Sequence, residues 1–159
     1  MSAYARRRLK QDFLELEKNP SSRIFGVLRN NDLMIWDVII CGPKDTPWEE
    51  GIFQLSLEFS EDYPHAPPIA KFISRMFHPN VFEDGTVCLD ILLYNNCWTP
   101  AWSSYSLLIA IQSILCDPFI HSAANFEAAK LFDTDRRAYN RRVFEIVELS
   151  WNSEDLPFN

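Results

Sequence analysis

The 159-residue chain is long enough for one domain with a sizeable core and hardly for two. Apolar residues make up 47% and aromatics 14%, a composition that predicts a packed globule and argues against a disordered chain. The net charge of −7 sets the chain against phosphate backbones, which disfavours direct DNA or RNA binding as its main activity.

In chain order, the opening MSAYARRRLKQDF is charged with no apolar stretch behind it, so it does not read as a secretory signal. Ala5, Leu9, Phe13 and Leu16 recur at helical spacing and Asn19-Pro20 ends the pattern, which predicts a first helix. Arg6, Arg7 and Arg8 crowd its N-terminal turns, where the helix dipole disfavours cations. They read either as a solvated basic face or as a docking patch for an acidic partner. Ile24 to Leu28 predicts a first strand, and Leu33 to Ile40, rich in β-branched residues and containing Trp36, a second. After the turn-forming Gly42-Pro43-Lys44-Asp45-Thr46-Pro47, Phe53, Leu55, Leu57 and Phe59 alternate with Gln54, Ser56 and Glu58. That period of two marks a half-buried antiparallel strand. Tyr63-Pro64 and Pro67-Pro68 break the chain before a short fourth strand, Ile69 to Ile73.

From Arg75 to about Trp102 no period is sustained, and long irregular stretches in compact domains tend to be functional. Helical spacing returns at Leu107, Leu108, Ile111, Ile114 and Leu115, and Asp117-Pro118 stops it. A shorter helix is expected over 124–132 and a last one over 136–151, with Tyr139, Val143, Ile146, Val147 and Ser150 on one face. Helix, four strands, irregular segment and three helices form an α+β pattern. No apolar run approaches a membrane span, so no membrane partner is expected.

Cys41, Cys88, Cys97 and Cys116 lack CxxC spacing, which argues against a zinc knuckle or a thioredoxin-like motif; no metal is expected. The informative stretch is Phe77-His78-Pro79-Asn80-Val81-Phe82-Glu83-Asp84-Gly85-Thr86-Val87-Cys88-Leu89-Asp90. Pro79 biases His78 to an extended conformation and removes a backbone donor. Asp84-Gly85 is a two-residue turn signal. With those two residues as the loop, paired positions sum to 169, Cys88 faces Val81, and Asn80 lies one step from the thiol. A carboxamide beside a thiol suits acyl transfer: the thiolate holds the acyl group and an amide N–H steadies the oxyanion. The bland alternative, a cysteine as small buried hydrophobe, is accepted for Cys41 and Cys116 and left open for Cys97 beside Trp98.

His78-Pro79-Asn80, Cys88 eight residues beyond Asn80, and Trp98-Thr99-Pro100 together resemble the ubiquitin-conjugating enzymes. So do Gly42-Pro43 with Thr46-Pro47 and Tyr63-Pro64 with Pro67-Pro68, and the match runs from the basic first helix to Trp151. Ala5-Arg6-Arg7-Arg8-Leu9, Met76-Phe77-His78-Pro79-Asn80 and Val147-Glu148-Leu149-Ser150-Trp151 are similar to the branch acting in DNA repair and histone ubiquitylation. The resemblance implies an N-terminal helix, a four-stranded antiparallel meander and three C-terminal helices, with a catalytic core over 1–152 and a short tail over 153–159. It implies ubiquitin accepted from an activating enzyme as a thioester on Cys88 and passed, usually with a ligase, to a substrate lysine.

By the same resemblance Asn80 is the oxyanion or loop-ordering amide, Asp90 orients the lysine, Ser122 is a gate residue, and His78 and Pro79 are structural. Arg6, Arg7 and Lys10 resemble the surface that meets the activating enzyme. His65, Ala66, Pro100 and Ala101 fall on the two loops that meet a ligase, expected to be of RING type. No bound cofactor is expected, ATP being used upstream by the activating enzyme, and the implied location is cytoplasmic and nuclear. The interval from Cys88 to Trp98 is longer than in the repair branch and is shared with the conjugating enzyme for the SUMO modifier. Asp90, where that enzyme usually has serine, points back to ubiquitin. A non-catalytic ubiquitin-presenting module is the reading from another class; it would lack Cys88. A thiol protease fails because no motif sets a histidine against the thiol, His121 being the one replacement.

Overall fold

In the computed structural model, residues 2–92 and 98–152 are described. Helix α1 (Ala3–Glu17) starts at a Ser2 cap whose hydroxyl accepts from the Ala5 amide at 3.1 Å. Strands β1 (Ile24–Leu28), β2 (Ile35–Cys41), β3 (Ile52–Glu58) and β4 (Ile69–Phe72) then form one antiparallel sheet in sequence order. A one-turn helix, α2 (Leu89–Leu92), precedes α3 (Ser104–Cys116), α4 (Phe126–Thr134) and α5 (Arg136–Ser150). The expected meander and helices are therefore present, with α2 added inside the stretch that shows no sequence period.

Register explains which sheet face is buried. Ile24, Ile40 and Phe53 lie side by side across β1, β2 and β3, and Val38 pairs with Leu55 and Trp36 with Leu57. All of them are buried. On the opposite face alternation in β3 predicts less burial than exists: Ser56, paired with Asp37 and Lys71 on its neighbours, is buried as well. Trp36 is closed in by Phe13 and Phe59, with ring centroids 5.2 and 4.9 Å away. Helix α3 contributes Leu107, Leu108, Ile111 and Leu115 to the same core. It begins with a capping box in which Ser103 and Ser106 satisfy each other's backbone N–H groups.

Two expectations need correction here. The fully buried positions of α1 are Ala5, Leu9, Asp12 and Leu16, so an acid occupies a place in the apolar stripe and Phe13 is only half-buried. Arg8 turns inward to that acid, which removes one cation from the crowded N-terminal turns. Cys116 is exposed at the end of α3, its Sγ 3.3 Å from the Ser113 carbonyl, and is no core residue; Cys41 is buried as expected. Cys97, the longer 93–97 stretch and the tail 153–159 lie outside the described residues.

Candidate active site

The hairpin that carries Cys88 starts at β4. Phe72 donates its amide to the Gly85 carbonyl at 2.8 Å, and Val87 donates to the Ala70 carbonyl at 2.9 Å, so the arm 85–87 lines up along β4. Within the hairpin Val81 bridges Val87, Phe82 donates to the Thr86 carbonyl at 2.9 Å, and Cys88 donates to the Asn80 carbonyl at 3.0 Å. Paired positions therefore sum to 168, one fewer than the two-residue loop predicts. The loop is Glu83-Asp84-Gly85, with Gly85 at φ 95° taking the left-handed conformation of a three-residue hairpin. The shift places Cys88 directly opposite Asn80 rather than one step away.

Asn80 is 1% exposed, and its carboxamide is engaged at both ends. Its Nδ2 donates to the Phe119 carbonyl at 2.6 Å, while its Oδ1 accepts from the Phe119 amide at 2.9 Å. The Pro79 carbonyl accepts from the amides of Ala124 at 2.8 Å and Asn125 at 3.1 Å. Pro79 and Asn80 thus strap the loop 119–125 against the thiol-bearing hairpin. Ser122 stands in that loop, exposed and at φ 59°.

His78 has no exposure, and both its ring nitrogens are spoken for. Nδ1 accepts from the Asn80 amide at 2.9 Å, so Nε2 carries the hydrogen and donates to the Ile114 carbonyl at 2.6 Å. Burial lowers its pKa from 6.5 to about 4, with the Ile114 carbonyl pulling weakly the other way. A neutral imidazole engaged on both sides is a bracket between hairpin and α3, and it supplies no base to Cys88. His121 is exposed against the Phe119 ring at 5.7 Å.

Cys88 itself is half-buried, and Asp90 is exposed in the first turn of α2. A cavity of about 730 Å³ opens between the hairpin tip, α4 and α5, lined by Phe82, Gly85, Phe126, Arg142 and Leu149 among others. Cys88 is not among its lining residues. Among the described residues no cluster of His, Cys, Asp or Glu has the makings of a metal site.

The docking candidates lie on the first helix and on two loops. Arg6, Arg7 and Lys10 are exposed on α1. His65 is exposed and Ala66 half-buried in a turn closed by the Asp62 carbonyl. Pro100 is half-buried and Ala101 exposed in the segment before α3. The two loops are brought together by the Trp98 indole N–H, which donates to the Pro64 carbonyl at 2.9 Å, and by Tyr63 and Trp98, whose rings lie 6.2 Å apart. The part played by Phe119 was not visible in the sequence, because it is its backbone that answers Asn80. Asp12 did leave a signal: an acid at helical spacing between Leu9 and Leu16.

Residues 8–147 match the family model described as "Ubiquitin-conjugating enzyme". The chain is 51% identical to "Ubiquitin-conjugating enzyme E2 3" of Arabidopsis thaliana over 151 residues, covering 95% of this chain and 99% of that protein. It is 48% identical to "Ubiquitin-conjugating enzyme E2 1" of Caenorhabditis elegans over 151 residues, covering 95% of this chain and 78% of that protein. With the fold and near full-length identity in agreement, the chain belongs to the ubiquitin-conjugating enzyme family, transferases that carry ubiquitin as a thioester.

Proposed function

We propose that Cys88 is the thiol that holds ubiquitin, and that Asn80 and Pro79 keep the loop 119–125 in place beside it. The observation that carries this reading is the double hydrogen bond between the Phe119 backbone and the carboxamide of Asn80, the residue directly opposite Cys88 across the hairpin. In the first step the Cys88 thiolate attacks the ubiquitin carbonyl held as a thioester on the activating enzyme, whose thiolate leaves. In the second a neutral lysine amine attacks the Cys88 thioester, an amide bond forms, the Cys88 thiolate departs, and the proton shed by the nitrogen passes to water or to that thiolate. A thioester is already activated, so the site has to position the amine and remove its hydration rather than supply a strong acid. Asp90 alone would raise the pKa of an incoming amine, so desolvation has to outweigh it while the carboxylate orients the nucleophile. An Asn80 with its oxygen and one N–H already engaged has a single N–H left for an oxyanion, which makes loop ordering the larger part of its role. Ser122 is the gate residue by its position in the strapped loop.

The finer reading places the chain in the DNA-repair and histone-ubiquitylating branch, on the strength of its Ala5 to Leu9, Met76 to Asn80 and Val147 to Trp151 segments. Arg6, Arg7 and Lys10 would meet the activating enzyme, and His65, Ala66, Pro100 and Ala101 a RING-type ligase. Residues 1–152 serve as the catalytic core, no cofactor is bound, and the protein works in cytoplasm and nucleus.

Incubation with activating enzyme, ATP and ubiquitin is expected to give a slower band on a non-reducing gel that a thiol reductant removes. Cys88→Ser is expected to turn it into a reductant-resistant ester. SUMO with its own activating enzyme is the parallel arm, and charging with SUMO in place of ubiquitin would reassign the cargo. Absence of any ATP-dependent band would defeat the assignment of Cys88.

A further inference from the structure

Polar side chains converge beneath α1, where the helical stripe promises only apolar packing. Asp12, 3% exposed, accepts from the Ser104 amide at 3.0 Å, the Ser104 hydroxyl at 3.2 Å and Arg8 Nε at 3.0 Å. It also accepts from the Tyr63 hydroxyl, which lies 2.8 Å from Ser104 Oγ. Arg8 reaches on with Nη2 to the Trp102 carbonyl at 2.6 Å. Burial, and then the Asp12 hydrogen bond, raise the Tyr63 pKa, so its hydroxyl remains a donor across the working pH range.

Every one of these bonds except Arg8–Asp12 joins parts of the chain far apart in sequence. Asp12 ties α1 to the start of α3, Tyr63 brings in the loop after β3, and Arg8 fixes the segment before α3. Trp98 closes the set by donating to the Pro64 carbonyl. The loops bearing His65 and Ala66 on one side, Pro100 and Ala101 on the other, therefore hang from a single polar anchor. A buried polar cluster costs desolvation that an apolar one would not, and what it returns is directional geometry.

We infer that Asp12, with Tyr63 and Ser104, forms a positioning cluster that sets the spacing of the two ligase-facing loops, so that stimulation by a ligase depends on it while the thioester chemistry does not. The inference rests on the reading of those loops as the ligase surface. Asp12, Tyr63 and Ser104 touch neither the thiol nor the strapped loop in any of these bonds; they act through the loops they hold.

Tyr63→Phe deletes the hydroxyl while leaving a ring to pack on Phe59, 4.8 Å away, and on Trp98. Ser104→Ala deletes one hydroxyl and no ring, and carries the same comparison if Tyr63→Phe folds poorly. The measurement is discharge of the ubiquitin thioester to free lysine, with and without an isolated RING domain chosen from a panel for accelerating the wild type. Without RING domain both variants are expected within about twofold of wild type. At sub-saturating RING domain their rates are expected to fall about threefold to tenfold, the equivalent of one net hydrogen bond, with a higher half-saturating RING concentration. Equal stimulation of wild type and both variants would overturn the inference, and so would equal losses with and without RING domain. A panel in which no member accelerates the wild type would overturn the ligase-surface reading beneath it.

Discussion

Asn80 and His78 are neighbours whose polar atoms are almost wholly committed, and each commitment has a measurable consequence. Asn80→Ser removes both bonds to the Phe119 backbone. Charging is expected to persist within about twofold while transfer to lysine falls by about tenfold or more, as for loss of a positioned donor. The same change is expected to cost about 2 kcal/mol in urea unfolding. Equal loss of charging and transfer would show that Asn80 only holds the fold. For His78 the folded pKa of about 4 lies below the unfolded 6.5, so the unfolded chain binds the extra proton between those values. Stability is then undiminished above pH 6.5 and declines as pH falls toward 4. Protonation would put the ring's second N–H on Nδ1, facing the Asn80 amide that now donates to it. Between pH 6.5 and 5 the loss is expected to be about 1.5 kcal/mol, read from urea midpoints, and a His78→Gln variant should flatten that slope. A wild-type profile already flat over this interval would mean His78 is not held neutral.

At the scale of elements, the hairpin is the piece on which the site depends. A Cβ placed on Gly85 would stand 2.1 Å from the Phe72 carbonyl oxygen, on a backbone at φ 95°. Gly85→Ala is therefore expected to cost about 3 kcal/mol or more in unfolding and to slow charging, because the arm leading to Cys88 must leave β4. Unchanged unfolding would contradict the close approach. This hairpin also shows where sequence stops short. Asp84-Gly85 announced a turn, but a glycine in the left-handed region fits a three-residue loop as well as a two-residue one, and the difference moves every pair by one. The strands and long helices were legible because hydrophobic period and prolines repeat over many residues. Four-residue α2 was not, being too short to repeat a helical period. Cys88 and Asn80 were legible as a pair through local spacing, whereas the Phe119 strap is a contact of backbone with side chain 39 positions away and leaves no mark on residue type. Asp12 left a mark that the apolar pattern Ala5, Leu9, Phe13, Leu16 passes over, an acid at helical spacing between Leu9 and Leu16.

Across the whole molecule, charge and chemistry are set apart. The chain is acidic overall, yet α1 shows Arg6, Arg7 and Lys10 to solvent while turning Arg8 inward. A basic face on an acidic protein gives orientation to an encounter with an acidic partner, and salt weakens it. Cys88 lies on a hairpin tied by hydrogen bonds to β4, α3 and the loop 119–125, with His78 and Asn80 supplying two of the ties.

Cys116 gives the molecule an exposed thiol at the end of α3. A thiol in water at the end of α3 can be oxidised into a disulfide between two copies of the protein without ATP or ubiquitin, whereas buried Cys41 is shielded. Under an oxidant, then, a covalent dimer through α3 is expected on a non-reducing gel, and Cys116→Ser should weaken that band.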